Sequence, residues 1–422
     1  MSYFHQLWSP PGAVELSKGQ AEIDRAVQLH AGSERERQII AATAAYYRDA
    51  ENLPPAVRAK AYMEAMSVAA RSNPKDTEVQ VFYALSLIAT EAPADRSHAN
   101  QKHAAAILEP IYREHPFHPG VAHYLIHAYD SAELAPRGLA AARAYSKIAP
   151  SAPHALHMPS HIFTRLGLWN DSIASNISAI SAARSEGDLG EELHAMDYLV
   201  YAYLQRGREA EAEHVVETLN TLGILRGSDF KVGYAATAMP VRLAMERHKW
   251  DAAVALQPLP ESAPHVAAIV YWARAVVNAR AGDPQAANDD IARLETCRHQ
   301  LQIAGNAYWA TQVEVLSKEA KAWQSAARSH GDEAIQRLRD AADEEDGVEK
   351  LPVTPGPIVP AREQLGDLLL TLNRPREALR ECRTTLVAAP GRRGALMGAT
   401  QAADLIGDTR RASKMRAILA NP

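Results

Sequence analysis

Two cysteines in 422 residues, Cys297 and Cys382, make neither a disulfide framework nor a CxxC metal or redox motif. Aromatic residues make up only 6% of the chain, and alanine is abundant. That balance favours close-packed helices over sheets. No apolar run approaches the ~20 residues that span a bilayer. A formal charge of −5 leaves no basic footprint for nucleic acid or an anionic membrane. The opening MSYFHQLWSPPG has no basic start before a long apolar core, so it is not a secretion signal. No glycine-rich phosphate loop and no Ser/His/Asp arrangement is legible. The expectations are a cytoplasmic chain, no nucleic-acid partner and no membrane span.

What is present is a repeat. Gly207, Gly282 and Gly407 are each followed five residues later by alanine, and Gly167 by Ser172. Glycine supplies a turn, and the small residue lets a second helix approach the first. Pro116 and Pro150, 34 residues apart, mark the ends of a helix–turn–helix unit of tetratricopeptide length. The pattern predicts an all-α, right-handed superhelical solenoid. Its repeats begin near Thr77, Pro119, Pro153, Leu193, Ala235, Ala268, Tyr308, Val359 and Arg393. Three regions are expected: 1–76, N-terminal and starting mid-repeat; 77–225, carrying the histidines; and 226–422, C-terminal repeats. SEGDLGEE (185–192) and EAPADRSHANQ (91–101) lengthen the pattern. EKLPVTPGPIVP (349–360) reads as a proline-rich connector that cannot be helical. MSYFHQLW reads as a helix fragment without its partner.

Of 17 histidines, seven fall between His115 and His161, where even spreading gives about two. His123 and His127 precede the turn slot at Glu133 by ten and six residues, and His157 and His161 precede Gly167 likewise. The same slots before Gly207 hold Asp197 and Tyr201, with His154, His194 and Asp130 three residues away in their own helices. Residues at i, i+3, i+4 and i+7 share a helical face. Successive first helices line the concave surface, so this set is expected to converge there. Imidazole is the commonest transition-metal ligand, and carboxylates complete mixed sites. The candidate ligands are therefore His123, His127, His154, His157, His161, His194, Asp130 and Asp197, around a Cu, Zn or Fe ion. A zincin would need glutamate where Tyr124 and Met158 stand, so that mechanism is unsupported. Pro159 breaks or kinks the helix of the second pair. His115 and His118 read as solvated loop residues.

Equivalent slots later in the chain hold Arg242, Trp272, Glu363 and Asp367. With Tyr201 they are candidate contacts for a small-molecule or peptide ligand in the groove. The acidic run Asp343–Asp346 reads as a solvated face or as help in binding a cation.

HPGVAHYLIHAYD, APSAPHALHMPSHIFTRLGLW and HAMDYLVYAYLQRG resemble a widespread group of bacterial tetratricopeptide-repeat proteins, as does AADEEDGVEKLPVTPGPIVPAREQLGDLLL. The resemblance covers nearly the whole chain and implies the solenoid fold. It implies no reaction; by analogy with the class it implies peptide binding in the groove. Usual members carry a further N-terminal repeat, often behind a secretion signal, which this sequence does not show. Three functions remain open: a metal-dependent hydrolase or oxidase/oxygenase, a non-catalytic peptide- or protein-binding scaffold, and a metal-binding protein without turnover.

Overall fold

The computed structural model describes residues 11–30 and 32–420; the helix fragment expected at residues 1–8 lies outside them. Among the described residues there is no strand, and no helix is long and apolar enough to cross a membrane. The chain is all-α, built from stacked helix–turn–helix pairs of tetratricopeptide type, in two compact units.

Unit 1 runs to Asp130 and includes residues 140–148. It contains α1 (Ala13–Gln28), α2 (Glu34–Tyr47), α3 (Pro55–Ser72), α4 (Thr77–Ala89), α5 (Ala99–Glu114) and α6 (Pro119–Ala128). The helix α7 (Ala135–Ile148) begins in unit 2 and ends in unit 1. Side-chain caps set several starts. Ser33 and Glu36 form a capping box on α2. His118 is no idle loop residue: its Nδ1 accepts the Val121 N–H of α6 at 3.3 Å, and its Nε2 meets Glu78 at 3.0 Å. His115 is exposed, as read.

Unit 2 continues with α8 (Pro153–His157), α9 (Pro159–Leu166), α10 (Trp169–Glu186), α11 (Leu189–Gln205), α12 (Glu209–Glu217), α13 (Phe230–Glu246), α14 (Trp250–Ala255), α15 (Pro264–Arg280), α16 (Ala287–Ile303), α17 (Ala307–Ala327), α18 (Gly331–Asp346), α19 (Ala361–Thr371), α20 (Pro375–Ala388), α21 (Arg393–Leu405) and α22 (Thr409–Ala420). The first helices of successive pairs form an inner row: α11 packs on α13, α13 on α15 and α15 on α17, and the row resumes with α19 on α21. Small residues permit the close approach, and α15 buries five alanines, among them Ala268 and Ala275.

The segment 349–360 is non-helical, as its four prolines require. It is not an external linker, however. Val353 and Ile358 belong to the main hydrophobic core, at 2% and 6% exposure. This strap crosses the inner row, and α21 packs back against α11. The row therefore curls around the strap.

That closure can be tested at Gly167, which ends α9 in the left-handed region at φ +69°. A Cβ there would stand 2.3 Å from the Pro390 carbonyl oxygen, whereas Gly187, at φ +72°, has nothing within 4 Å. Gly187→Ala is expected to cost about 1 kcal/mol of backbone strain. Gly167→Ala should cost roughly 1–3 kcal/mol more, from the added collision. Urea unfolding midpoints compare the two, and equal losses would mean that the Pro390 turn does not pack on Gly167.

Candidate metal centre

The helix carrying the second histidine pair is interrupted at Pro159, as its missing N–H demands. Met158 bridges the break in right-handed helical geometry, at φ −50° and ψ −37°. Its N–H donates to the His154 carbonyl at 2.9 Å, and its carbonyl accepts the His161 N–H at 3.2 Å. The path therefore stays helical, and His157 and His161 remain one turn apart on one face. Their Nε2 atoms are 3.1 Å apart, with ring planes at 82°. His194 arrives from α11, its ring centroid 4.4 Å from that of His157 and 6.1 Å from that of His161. One nitrogen of each ring lies within 4.8 Å of the others. The three side chains are buried, at 0%, 0% and 1% exposure.

Neighbouring groups orient these rings. On α10, the Asn176 amide donates to the Ser172 carbonyl at 2.8 Å, which turns its oxygen toward His157 Nδ1 at 2.7 Å. His157 Nδ1 therefore carries the proton, and its Nε2 lone pair faces His161. Tyr198, one turn beyond His194, packs its ring against all three imidazoles, at centroid distances of 4.8, 4.9 and 5.4 Å. Its hydroxyl donates to the strap carbonyls of Pro352 and Thr354, at 3.1 and 2.9 Å. The oxygen then accepts from His161 Nδ1, 3.4 Å away. With its proton on Nδ1, His161 turns its Nε2 lone pair toward that of His157. Burial, reinforced by the neighbouring imidazoles, lowers the pKa of His157 and of His194 well below the ordinary histidine value. Neutral imidazole is the form that binds a metal.

His154 Nδ1 meets Glu191 at 3.2 Å, and Lys231 meets the other oxygen of that carboxylate. Burial works against the Glu191 anion, but His154 and Lys231 outweigh it and hold the pKa low. Asp197 lies 3.6 Å from Arg242 Nε, with both groups at 0% exposure. In unit 1, His123 and His127 also bring their Nε2 atoms to 3.1 Å, and His123 stacks on Tyr145 at 5.3 Å and 10°. Asp130 follows α6, its N–H donating to the His127 carbonyl at 3.3 Å.

Of the expected ligand contacts, Arg242, Tyr201 and Trp272 are buried in the core at 0%, 3% and 0% exposure. Arg242 donates to the chain's own carbonyls, Pro357 at 2.8 Å and Gly356 at 3.2 Å. Two guanidinium groups lie over the Tyr201 ring, Arg242 at 4.8 Å and Arg392 at 5.6 Å from its centroid. Glu363 receives Arg392 through two donors, at 2.9 and 3.1 Å, and lines a cavity of about 330 Å³ with Asp367, Glu246 and Trp250. In the acidic run, Asp343 and Asp346 are paired with Arg362, each at 2.6 Å. Sequence reasoning missed Asn176, Tyr198 and Arg392. Tyr198 was within reach of it, standing four residues after His194 on the same face.

No known protein-family profile matches this sequence, and no curated protein matches it. Solved structures similar over 97% of the chain include monomeric IFIT1 mutants with m7Gppp-AAAA and with Gppp-AAAA. Each is 12% identical, with 87% and 85% of that chain covered and TM-scores of 0.37 and 0.36. A circular tandem repeat protein with novel repeat topology is also 12% identical over 97% of this chain and 88% of its own, with a TM-score of 0.17. At such scores the likeness carries no ligand to this chain.

Burial raises the Asp197 pKa to about 6 despite the Arg242 charge. The folded state thus holds this proton more tightly than the unfolded chain. The resulting stabilisation is fully present below about pH 4, the ordinary aspartate range, and is lost as pH rises through about 6. Relative to Asp197→Asn, the metal-free wild type should gain up to about 3 kcal/mol on acidification from pH 7 to pH 4. Chemical denaturation at several pH values reads this difference, and a flat difference would mean that Asp197 is ionised throughout.

Proposed function

We propose that this protein binds a transition-metal ion through His157, His161 and His194, inside a tetratricopeptide-like repeat unit. The observation that carries the reading is the facing pair of Nε2 lone pairs, with Asn176 fixing the His157 tautomer. Two such lone pairs 3.1 Å apart repel unless a proton or a cation lies between them. Metal–imidazole bonds of about 2.0–2.1 Å at tetrahedral angles set nitrogens about 3.3 Å apart, so the residues fit such an ion. Three nitrogen donors and no thiolate suit Zn, Cu or Fe. Asn176 and Tyr198 would hold the imidazoles in the tautomer that ligation requires.

Three protein ligands leave a further coordination position, the donor count of catalytic rather than closed structural sites. That supports the metal-dependent enzyme reading, with a small molecule or peptide as its substrate class. A scaffold for foreign peptides finds less support, because Arg242 and Tyr198 already hold a segment of this chain. His123 and His127, with Nε2 atoms 3.1 Å apart in unit 1, are proposed as a further metal contact. The bacterial tetratricopeptide group remains the family proposed from the sequence motifs.

Untagged protein, reconstituted and dialysed, should hold about one equivalent of Zn, Cu or Fe, and saturating metal should stabilise it by about 2.7 kcal/mol at 100-fold excess over Kd. Asn176→Ala should weaken binding roughly 10–100-fold through loss of the His157 orientation. Elemental analysis and metal titration test both. A His157→Ala protein that keeps its full metal complement would rule the site out.

A further inference from the structure

The three imidazoles are at most 1% exposed, so nothing reaches them unless a covering element moves. Helices flank them: α8 with α9, α10 bearing Asn176, and α11 bearing His194 and Tyr198. Each is held by its own ladder of backbone hydrogen bonds. The strap 349–360 has no ladder. Pro352, Pro355, Pro357 and Pro360 offer no N–H, and its internal bonds are few: the Thr354 N–H to the Leu351 carbonyl at 3.3 Å, the Thr354 hydroxyl to the Gly356 carbonyl at 2.8 Å, and the Gly356 N–H to the Thr354 hydroxyl at 3.2 Å. It is held instead from outside, by side chains. Tyr198 takes the Pro352 and Thr354 carbonyls, and Arg242 takes Gly356 and Pro357. Arg165, one turn after His161, pairs with Glu349 at 3.0 Å, and the Tyr308 hydroxyl accepts the Leu351 N–H at 3.1 Å.

We infer that the strap 349–360 is the gate of the His157–His161–His194 site, with Tyr198 as the positioning residue that couples strap to imidazoles. The inference rests on the metal reading for what passes the gate, but not for the gate itself. The Tyr198 hydroxyl grips the strap while its ring covers the three histidines. A strap that lifts leaves Tyr198 without its acceptors and opens one side of the imidazole cluster. Segments with few internal hydrogen bonds open at lower free energy than packed helices, so the strap moves before the helices do.

The test uses the full chain after dialysis against a chelator, with diethylpyrocarbonate as the probe of imidazole access. Mass spectrometry reads the modification rates of His157, His161 and His194, and hydrogen exchange reads the strap amides. Tyr198→Phe removes the grip and keeps the ring. It should accelerate strap exchange and imidazole modification together, by about five- to tenfold, the effect of one lost hydrogen bond. Glu349→Gln, which loosens the strap at its pairing with Arg165, should accelerate both in parallel by a smaller factor. Zinc release to a colorimetric chelator should rise in step. Faster strap exchange with modification rates unchanged would overturn the gate, as would equal acceleration of the amides of α8–α11. A wild type that binds no zinc yet shows the coupled acceleration would sink the metal reading and leave the gate standing. One that binds zinc with uncoupled rates would sink the gate alone.

Discussion

Unit 2 is organised by the need to satisfy the carbonyls of a buried, proline-rich segment, the strap 349–360. A backbone carbonyl without a partner in a core costs about as much as a lost hydrogen bond. The strap cannot join a ladder, so side chains must serve it. Tyr198 comes from α11, Arg242 from α13 and Arg392 from the turn before α21. The two guanidiniums bring a further demand, because a buried cation needs an anion. Asp197 stands opposite Arg242, and Arg392 meets Glu246 at 2.7 Å and Glu363 at 2.9 Å. One segment thus ties together helices distant in sequence, and the ring of Tyr201 packs against both arginines.

The repeat was legible because glycine turns and small residues recur at fixed offsets. The expected starts at Thr77, Pro119, Pro153 and Arg393 coincide with the first residues of α4, α6, α8 and α21. Others drifted: the expected starts Leu193 and Ala235 lie four and five residues inside helices that begin at Leu189 and Phe230. There the capping residues are Asp188 and Asp229, whose side chains accept the N–H groups of Glu191 and Val232. The grouping of His157, His161 and His194 followed from equivalent slots in adjacent repeats.

What the sequence left dark has a common cause. Proline content says that a segment is not helical, but not whether it lies outside or inside. The strap therefore read as a connector, and its arginine and tyrosine partners read as contacts for a foreign ligand. Asn176 sits on the second helix of its pair, where the periodic argument looked for packing only. Glu363 and Asp367 do line one cavity, but each meets a cation of the chain itself: Glu363 meets Arg392, 29 residues beyond it, and Asp367 meets Arg280 at 3.7 Å. Long-range charge pairing of this kind has no local signature.

Tyr198 joins the two buried polar systems of unit 2, the strap network and the neutral histidine cluster. The central claim is that the cluster is a ligand set and not an uncharged core feature. X-ray absorption spectroscopy on protein reconstituted with one equivalent of zinc tests it most directly. The account predicts three imidazole nitrogens at about 2.0 Å in wild type, falling to two in His194→Ala. A shell of oxygen donors with one histidine or none, unchanged by that substitution, would contradict it.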